Sequence, residues 1–265
     1  MILLFLLYLF CLHPNKGRKD KFEPFKRRLI AHRGLFNNRN IPENSILAFN
    51  QAIAAGYGIE LDVQMTTDEK LVVFHDENLF RMCGVNKVLN KCSYDELMQY
   101  NLLNTTQKIP LLEDVLNGVN NRVPLIVEIK EEGNWKRTTE LTSRLLDAYI
   151  GKYCIESFHP GVVHWYKKHR PRVLRGQLST NYFKDHPKMP FVRKFVFTNL
   201  LANFYTKPDF IAYNQVYVNQ PSFWVCSKLF KPILVAWTVR NPAEFEKAKK
   251  IFDVIIFDSF IPDKK

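Results

Sequence analysis

The chain has 265 residues, 46% of them apolar and 24% charged, with 38 Lys and Arg against 26 Asp and Glu for a formal charge of +12. That balance excludes a disordered chain, fits a single α/β barrel in size, and points the basic excess at nucleic acid, anionic membrane or phosphorylated substrates. The cations are spread along the chain without an RNA-binding or zinc-finger signature, which sets nucleic acid aside; five cysteines, an odd number with no CxxC pair, exclude a disulfide scaffold and a zinc site.

The first element is an uncharged run, Met1 to Leu12, followed by Lys16, Arg18, Lys19 and Lys21. It is shorter than the ~20 residues a spanning helix needs. It lacks the basic n-region and small-residue cleavage site of a signal peptide. With the cations on its carboxyl side, residues 1–21 are expected to form a short membrane anchor or interfacial segment plus a basic linker, leaving residues 22–265 as a cytoplasmic body. The plainer alternative is a peptide tucked against that body.

Beyond the linker, β-type runs alternate with helical ones. "RLIAHRG" reads as a strand, "SILAFNQAIAAG" as a helix, and "GIELDVQMT" and "LVVFHDE" as strands. Helical stretches fit "SYDELMQY" and "IPLLEDVLNGV", then the strand "PLIVEIK" and a long helix over "NWKRTTELTSRLLDAYI". The strand "YCIESF", the helix "PGVVHWYKKH" and the strand "VLRGQL" follow. "DFIAYNQ", "PILVAWTV" and "DVIIFDS" are strands, separated by helices near "PSFWVCSKLF" and "PAEFEKAKK". Alternation of this kind predicts βαβ units and a parallel sheet rich in Val, Ile and Leu. With "LVVFHDE" taken as an extension of the second strand, eight strands remain, and the fold class is α/β, a single-domain (β/α)8 TIM barrel. A doubly wound open sheet competes, but "AHRGLFNNRN" is not the Gly-rich turn expected after its first strand. Met189–Pro208 mixes aromatics with Arg193, Lys194 and Lys207. It reads as an amphipathic fifth outer helix, or as a membrane-facing flap.

The strand ends carry the chemistry. Glu60 and Asp62 share one strand face, about 7 Å apart by rise per residue, and would repel each other if buried without a cation. A hard divalent ion with oxygen ligands resolves this. Glu128 can supply a third carboxylate, and Lys130 a cation for an anionic oxygen. His32 closes "RLIAHRG" and His75 closes "LVVFHD". In a barrel these would converge on one mouth, with Arg33 beside them. An ion, two imidazoles and an arginine suit phosphoryl-ester cleavage: one His takes a proton and the other gives one to the leaving alkoxide. A single strand-end His or a single ExD pattern is commonplace, whereas the set of five is specific.

Taken together, "AHRG", "PENSILAF", "GIELDVQMTTDEKLVVFHDENLFR", "IPLLEDVL", "IVEIK", "ILVAWTV" and "DVIIFDS" resemble the glycerophosphodiester phosphodiesterase family, from about Arg28 to Ser259. The resemblance implies a barrel with a bound divalent ion, Ca2+ or Mg2+, that hydrolyses a glycerophosphodiester to an alcohol and sn-glycerol 3-phosphate. It makes His32 and His75 the acid/base pair and Glu60, Asp62 and Glu128 the metal ligands, and leaves open whether His75 also joins the metal shell. Arg33 and Lys130 resemble phosphate-binding cations, Glu43 and Asn44 residues that bond the catalytic loop and substrate, and Trp237 an aromatic wall against the glycerol. "FDSFIP" departs from the family pattern, with Phe257 in place of a Thr while Asp258 remains. A lysophospholipid substrate, cleaved at a membrane surface in a lysophospholipase D reaction, is the alternative within the enzyme class. Sphingomyelinase D, a related barrel, lacks the "EIK" motif. A non-catalytic lipid-headgroup binder would have no need of both histidines.

Overall fold

The computed structural model describes residues 1–15, 18–26 and 29–263. Lys16 of the basic linker and Arg28 of "RLIAHRG" lie outside the described residues. The chain runs α1 (Ile2–Leu12), β1 (Leu29–His32), α2 (Ile46–Ala54), β2 (Gly58–Met65), β3 (Leu71–Val73), α3 (Phe80–Cys83), α4 (Tyr94–Leu97), α5 (Leu112–Val119), β4 (Leu125–Ile129) and α6 (Trp135–Ala148). It continues through β5 (Tyr153–Ser157), α7 (Pro160–His169), β6 (Arg175–Ser179), α8 (Tyr182–Asp185), α9 (Phe191–Thr198), α10 (Asn203–Thr206) and β7 (Phe210–Asn214). The last elements are α11 (Pro221–Val225), β8 (Ile233–Val239), α12 (Pro242–Ala248) and β9 (Val254–Phe257). The strand order β1-β2-β4-β5-β6-β7-β8-β9, returning to β1, is that of a (β/α)8 barrel, with β3 added at β2. The chain divides into two compact units, residues 28–154 with 257–265 and residues 1–27 with 155–256.

In the first unit β1, β2 and β4 are parallel neighbours. Their registers are what place the site. His32 is opposite Glu60 on the β1–β2 ladder, and Asp62 is opposite Glu128 on the β2–β4 ladder. Parallel neighbours are about 4.8 Å apart, so register alone brings these four side chains within reach of one another. The alternate residues Ile59, Leu61, Val63, Leu125, Val127 and Ile129 are fully buried hydrophobics. β2 therefore reads apolar on one face and polar on the other, and β4 turns from apolar to charged on that second face at Glu128.

The count of eight barrel strands holds, but the segment "LVVFHDE" is placed differently from expectation. It is not a prolongation of β2 but an antiparallel arm, β3, in which Val73 faces Val63 and Leu71 faces Met65. Thr66–Lys70 forms a tight reversal, closed by the Thr66 amide on the Lys70 carbonyl at 3.0 Å. The arm carries the chain back along β2, and the Phe74 amide donates to the Asp62 carbonyl at 3.0 Å. A satellite core of Val72, Phe74, Leu79, Met82, Leu89 and Leu97 packs beneath the arm and the segment after it.

In the second unit β5, β6, β7 and β8 are successive parallel strands. α1 belongs here. Its carboxyl end is buried at Leu12, and residues beyond it are held by the Asn15 amide on the Pro208 carbonyl at 2.8 Å. The stretch Met189–Pro208, expected as one helix, is two short ones, α9 and α10. The break falls at Leu200, whose φ of 55° lies in the left-handed region that a continuing helix cannot contain.

Candidate active site

His32 ends β1, and the loop of residues 33–45 that follows is clasped at its base by the Asn44 amide on the Arg33 carbonyl at 2.9 Å. Arg33 and Asn44 both sit at positive φ, 55° and 54°. For a non-glycine residue this costs roughly 1–2 kcal/mol, so the loop is held by its contacts and not by preference. Gly34 needs its φ of 81°, and a Cβ there would meet the Ala48 backbone at 2.8 Å. Ser45 then caps α2, accepting from the Ala48 amide at 3.1 Å.

Glu60, Asp62 and Glu128 are buried and present oxygens that all lie within 4.8 Å of one another. The three carboxylates are surrounded by donors. The Arg33 amide donates to Glu60 Oε2 at 3.1 Å, and Asn44 Nδ2 donates to Asp62 Oδ2 at 2.8 Å. Lys130 Nζ lies 3.1 Å from Glu128 Oε1 and 3.8 Å from Asp62 Oδ1. Arg33 Nε approaches Asp62 Oδ2 to 3.4 Å, ion-pair range without hydrogen-bond geometry. Burial works to raise the Asp62 pKa, but the charges of His75, Arg33 and Lys130 hold it well below the usual carboxylate range. Glu128 goes the other way: burial, with the Asp62 charge added, outweighs Lys130 and lifts it above its ordinary value. Two buried carboxyls that differ in this way, opposite each other on one ladder, fit a hard divalent cation. Its charge would favour the ionised form of both, and its preferred ligands are oxygens.

The two imidazoles are each oriented by a carboxylate. His32 Nδ1 lies 2.8 Å from Asp258 Oδ2, and its Nε2 stands 3.9 Å from Glu60 Oε2. His75 Nδ1 lies 2.6 Å from Asp76 Oδ1. A carboxylate on Nδ1 favours the tautomer with the proton there and leaves Nε2 as the working nitrogen. Burial, and then the Arg33 charge, push the His32 pKa below its ordinary 6.5 despite the Asp258 contact, so the ring is neutral at pH 7. His75 is not among the residues whose ligand atoms close on the carboxylate trio. Its charge acts on both Asp62 and Glu128.

Glu43 is the hub of the supporting network. It accepts from Arg33 Nη1 at 2.6 Å, from Arg81 Nη1 and Nη2 at 2.9 and 2.7 Å, and from Asn38 Nδ2 at 2.8 Å. Burial pushes its pKa up, but these donors, Arg81 first, bring it down to about 2. Arg81 also reaches Asp76, with Nε 2.6 Å from Oδ2. One guanidinium thus links the carboxylate under His75 to the carboxylate under Arg33.

Of the residues expected from sequence, His32, Arg33, Glu43, Asn44, Glu60, Asp62, His75, Glu128 and Lys130 belong to this one constellation. Trp237 lies on β8 in the other unit, where its ring meets Phe158 edge-on at 5.3 Å. Asp258, Asp76 and Arg81 were not given roles from sequence. Asp76 adjoins a histidine at the end of an apolar run, and Asp258 closes the last strand, so the same strand-end argument reaches both. Arg81 carries no such signal. A cavity of about 590 Å3 in the first unit meets the constellation only at Asp258 and is otherwise lined by residues such as Phe36, Phe257 and Phe260.

Residues 32–261 match the model of the glycerophosphoryl diester phosphodiesterase family. The chain belongs to this family. A glycerophosphodiester phosphodiesterase of Bacillus altitudinis is 30% identical over 158 residues, 55% of this chain and 64% of that protein. Lysophospholipase D GDPD1 of Homo sapiens is 34% identical over 152 residues, 52% of this chain and 48% of that protein. The matches thus span about half to two thirds of the length of these relatives. An Oleispira antarctica phosphodiesterase, solved in complex with the product sn-glycerol-3-phosphate, shares the fold with a TM-score of 0.71 and 20% identity, over 89% of this chain and 94% of that one.

Proposed function

We propose that the protein hydrolyses glycerophosphodiesters to an alcohol and sn-glycerol 3-phosphate, using a divalent cation, Ca2+ or Mg2+, held by Glu60, Asp62 and Glu128. The observation that carries this reading is the buried carboxylate trio, within 4.8 Å, flanked by two imidazole–carboxylate pairs. When bound, such a cation neutralises phosphoryl charge and supplies Lewis acidity. Arg33 and Lys130 add fixed positive charge for the phosphate; both stay protonated, because their carboxylate neighbours outweigh their burial. His32 Nε2 accepts the proton of the attacking oxygen, whether water or the glycerol hydroxyl next to the phosphate. His75 delivers a proton to the departing alkoxide, so the P–O bond breaks to a neutral alcohol. Asp258 holds the His32 ring and stabilises the imidazolium that forms there, and Asp76 holds the His75 ring.

A single assay series tests this. Purified protein is given glycerophosphocholine, glycerophosphoethanolamine and lysophosphatidylcholine, with released alcohol measured before chelation, after it, and after Ca2+ or Mg2+ is restored. Turnover that disappears on chelation and returns with the ion is expected. His32→Ala and His75→Ala should each lose about 10²-fold or more while keeping the wild-type circular dichroism. Turnover that survives exhaustive chelation removes the metal from the reaction, and full activity in either His variant removes that ring. The likeness to a lysophospholipase D favours lysophosphatidylcholine as a second substrate, and the third arm of the series reads it.

A further inference from the structure

The second unit carries an apolar surface for which the hydrolytic chemistry has no use. Along α1 Ile2, Leu3 and Leu4 are 79%, 78% and 70% exposed, Phe5, Leu6 and Leu7 58%, 55% and 55%, and Phe10 58%, whereas Leu12 is fully buried. Successive helical residues point about 100° apart, so six consecutive exposed side chains leave no face of these turns covered. A helix lying in a protein groove would bury one stripe and expose another. Here only the carboxyl end is seated. The Leu12 carbonyl accepts from Asn203 Nδ2 at 3.0 Å, and the His13 carbonyl from Lys207 Nζ at 2.9 Å. Further up, the Tyr8 hydroxyl donates to Ser222 Oγ at 2.9 Å, which donates to Asn199 Oδ1 at 2.8 Å.

Asn199 closes α9, and that helix adds exposed groups of its own. Phe191, Val192 and Phe195 are 68%, 70% and 49% exposed. The Phe191 ring lies 5.7 Å from Phe183 and 6.4 Å from Phe195, so the aromatic side chains are contiguous. Lys184, Lys188, Arg193 and Lys194 lie in the same segment, against Asp185 as the one acid between residues 184 and 194. Asp185 is already engaged by Thr180 and by the Tyr217 hydroxyl. Lys194 Nζ sits 5.5 Å above the Phe183 ring.

We propose that the projecting turns of α1 and the α8–α9 aromatic rim insert together into one leaflet of an anionic lipid bilayer, with the four cations at headgroup level. Hydrocarbon can surround a helix on all sides, as this exposure requires, and a protein groove cannot. The cations match anionic headgroups in sign. No described helix is long and apolar enough to cross a membrane.

The test is flotation of the full chain with vesicles of phosphatidylcholine alone or equimolar phosphatidylcholine and phosphatidylglycerol. Tighter partitioning to the anionic vesicles is expected, weakened by salt. Leu3→Asp with Leu4→Asp should lower the partition coefficient by about tenfold or more, as should Phe191→Ser with Phe195→Ser. Lys188→Glu with Arg193→Glu should remove the preference for phosphatidylglycerol. Each pair should keep the wild-type melting temperature and turnover of a soluble glycerophosphodiester, which separates loss of docking from loss of fold. Absence of vesicle binding, or binding unchanged in all three pairs, overturns the proposal. A dimer on gel filtration that the α1 pair dissociates, from protein that ignores vesicles, assigns the surface to a second copy instead. Vesicle binding does not require catalysis, so failure of the hydrolytic reading would leave this result standing.

Discussion

At the residue scale the decisive contrast is between two rings with similar carboxylate partners in different surroundings. His32 is depressed by burial and by Arg33, and Asp258 pulls against that shift. A general base must be neutral to work, and it is lost as pH falls through its pKa. The acid limb of kcat/KM is therefore expected below pH 6.5, and a bound cation would push it lower still. Asp258→Asn removes the contribution that raises the ring, so the limb should move further down while kcat drops about 10²-fold. A pH–rate profile of both proteins checks this, and an upward move of the limb contradicts it. The sequence makes the histidines and the three acids legible, because charged side chains at the ends of apolar strands need a reason to be there. The orienting groups are harder to read. Asp258 lies 226 positions from His32, and nothing local signals that pairing.

At the element scale the loop between β1 and α2 does the most with the least. Four of its residues, Arg33, Gly34, Asn38 and Asn44, hold left-handed conformations, and two of them are tied to the carboxylate trio, Arg33 through its amide and Asn44 through its side-chain nitrogen. Gly34→Ala combines unfavourable φ with a 2.8 Å contact to backbone that a rotamer change cannot relieve. A loss of about 2 kcal/mol or more in urea unfolding is expected, with reduced kcat/KM because Arg33 shifts with it. A neutral result would show that the loop has slack. "HRG" signals that a turn follows a strand, but sequence does not disclose which of its residues go left-handed. The reading of β3 failed for a related reason. A five-residue reversal at Thr66–Lys70 contains no glycine or proline, so period-2 apolar runs on either side look like one long strand. The single helix expected over Met189–Pro208 failed because propensity does not register a break at Leu200.

At the scale of the whole molecule the barrel was legible from the alternation of short apolar runs with longer periodic ones. Sequence could also place the unusual apolar start of the chain, but not which of its residues would be buried. Its seat depends on partners such as Asn203 and Ser222, about two hundred positions away. Global stability should respond to the site. Without a cation, Lys130 bridges Asp62 and Glu128, and Glu128 is under pressure to take up a proton. Ca2+ or Mg2+ at a hundredfold excess over its Kd should add about 2.7 kcal/mol to unfolding free energy. The melting temperature should rise accordingly and fall back on chelation. Glu128→Gln should melt at or above the wild type in the absence of the ion and gain nothing from adding it. An ion-induced rise in that variant would place the ion elsewhere.

The antiparallel arm puts His75 on a different support from the rest of the site. Three staves and one reversed loop suffice to gather the acids, the arginine and the first ring. The second ring arrives on a separate flap, propped by its own small hydrophobic pad. The proposed acid thus stands on a different support from the groups proposed to hold the phosphate, joined to them through Arg81.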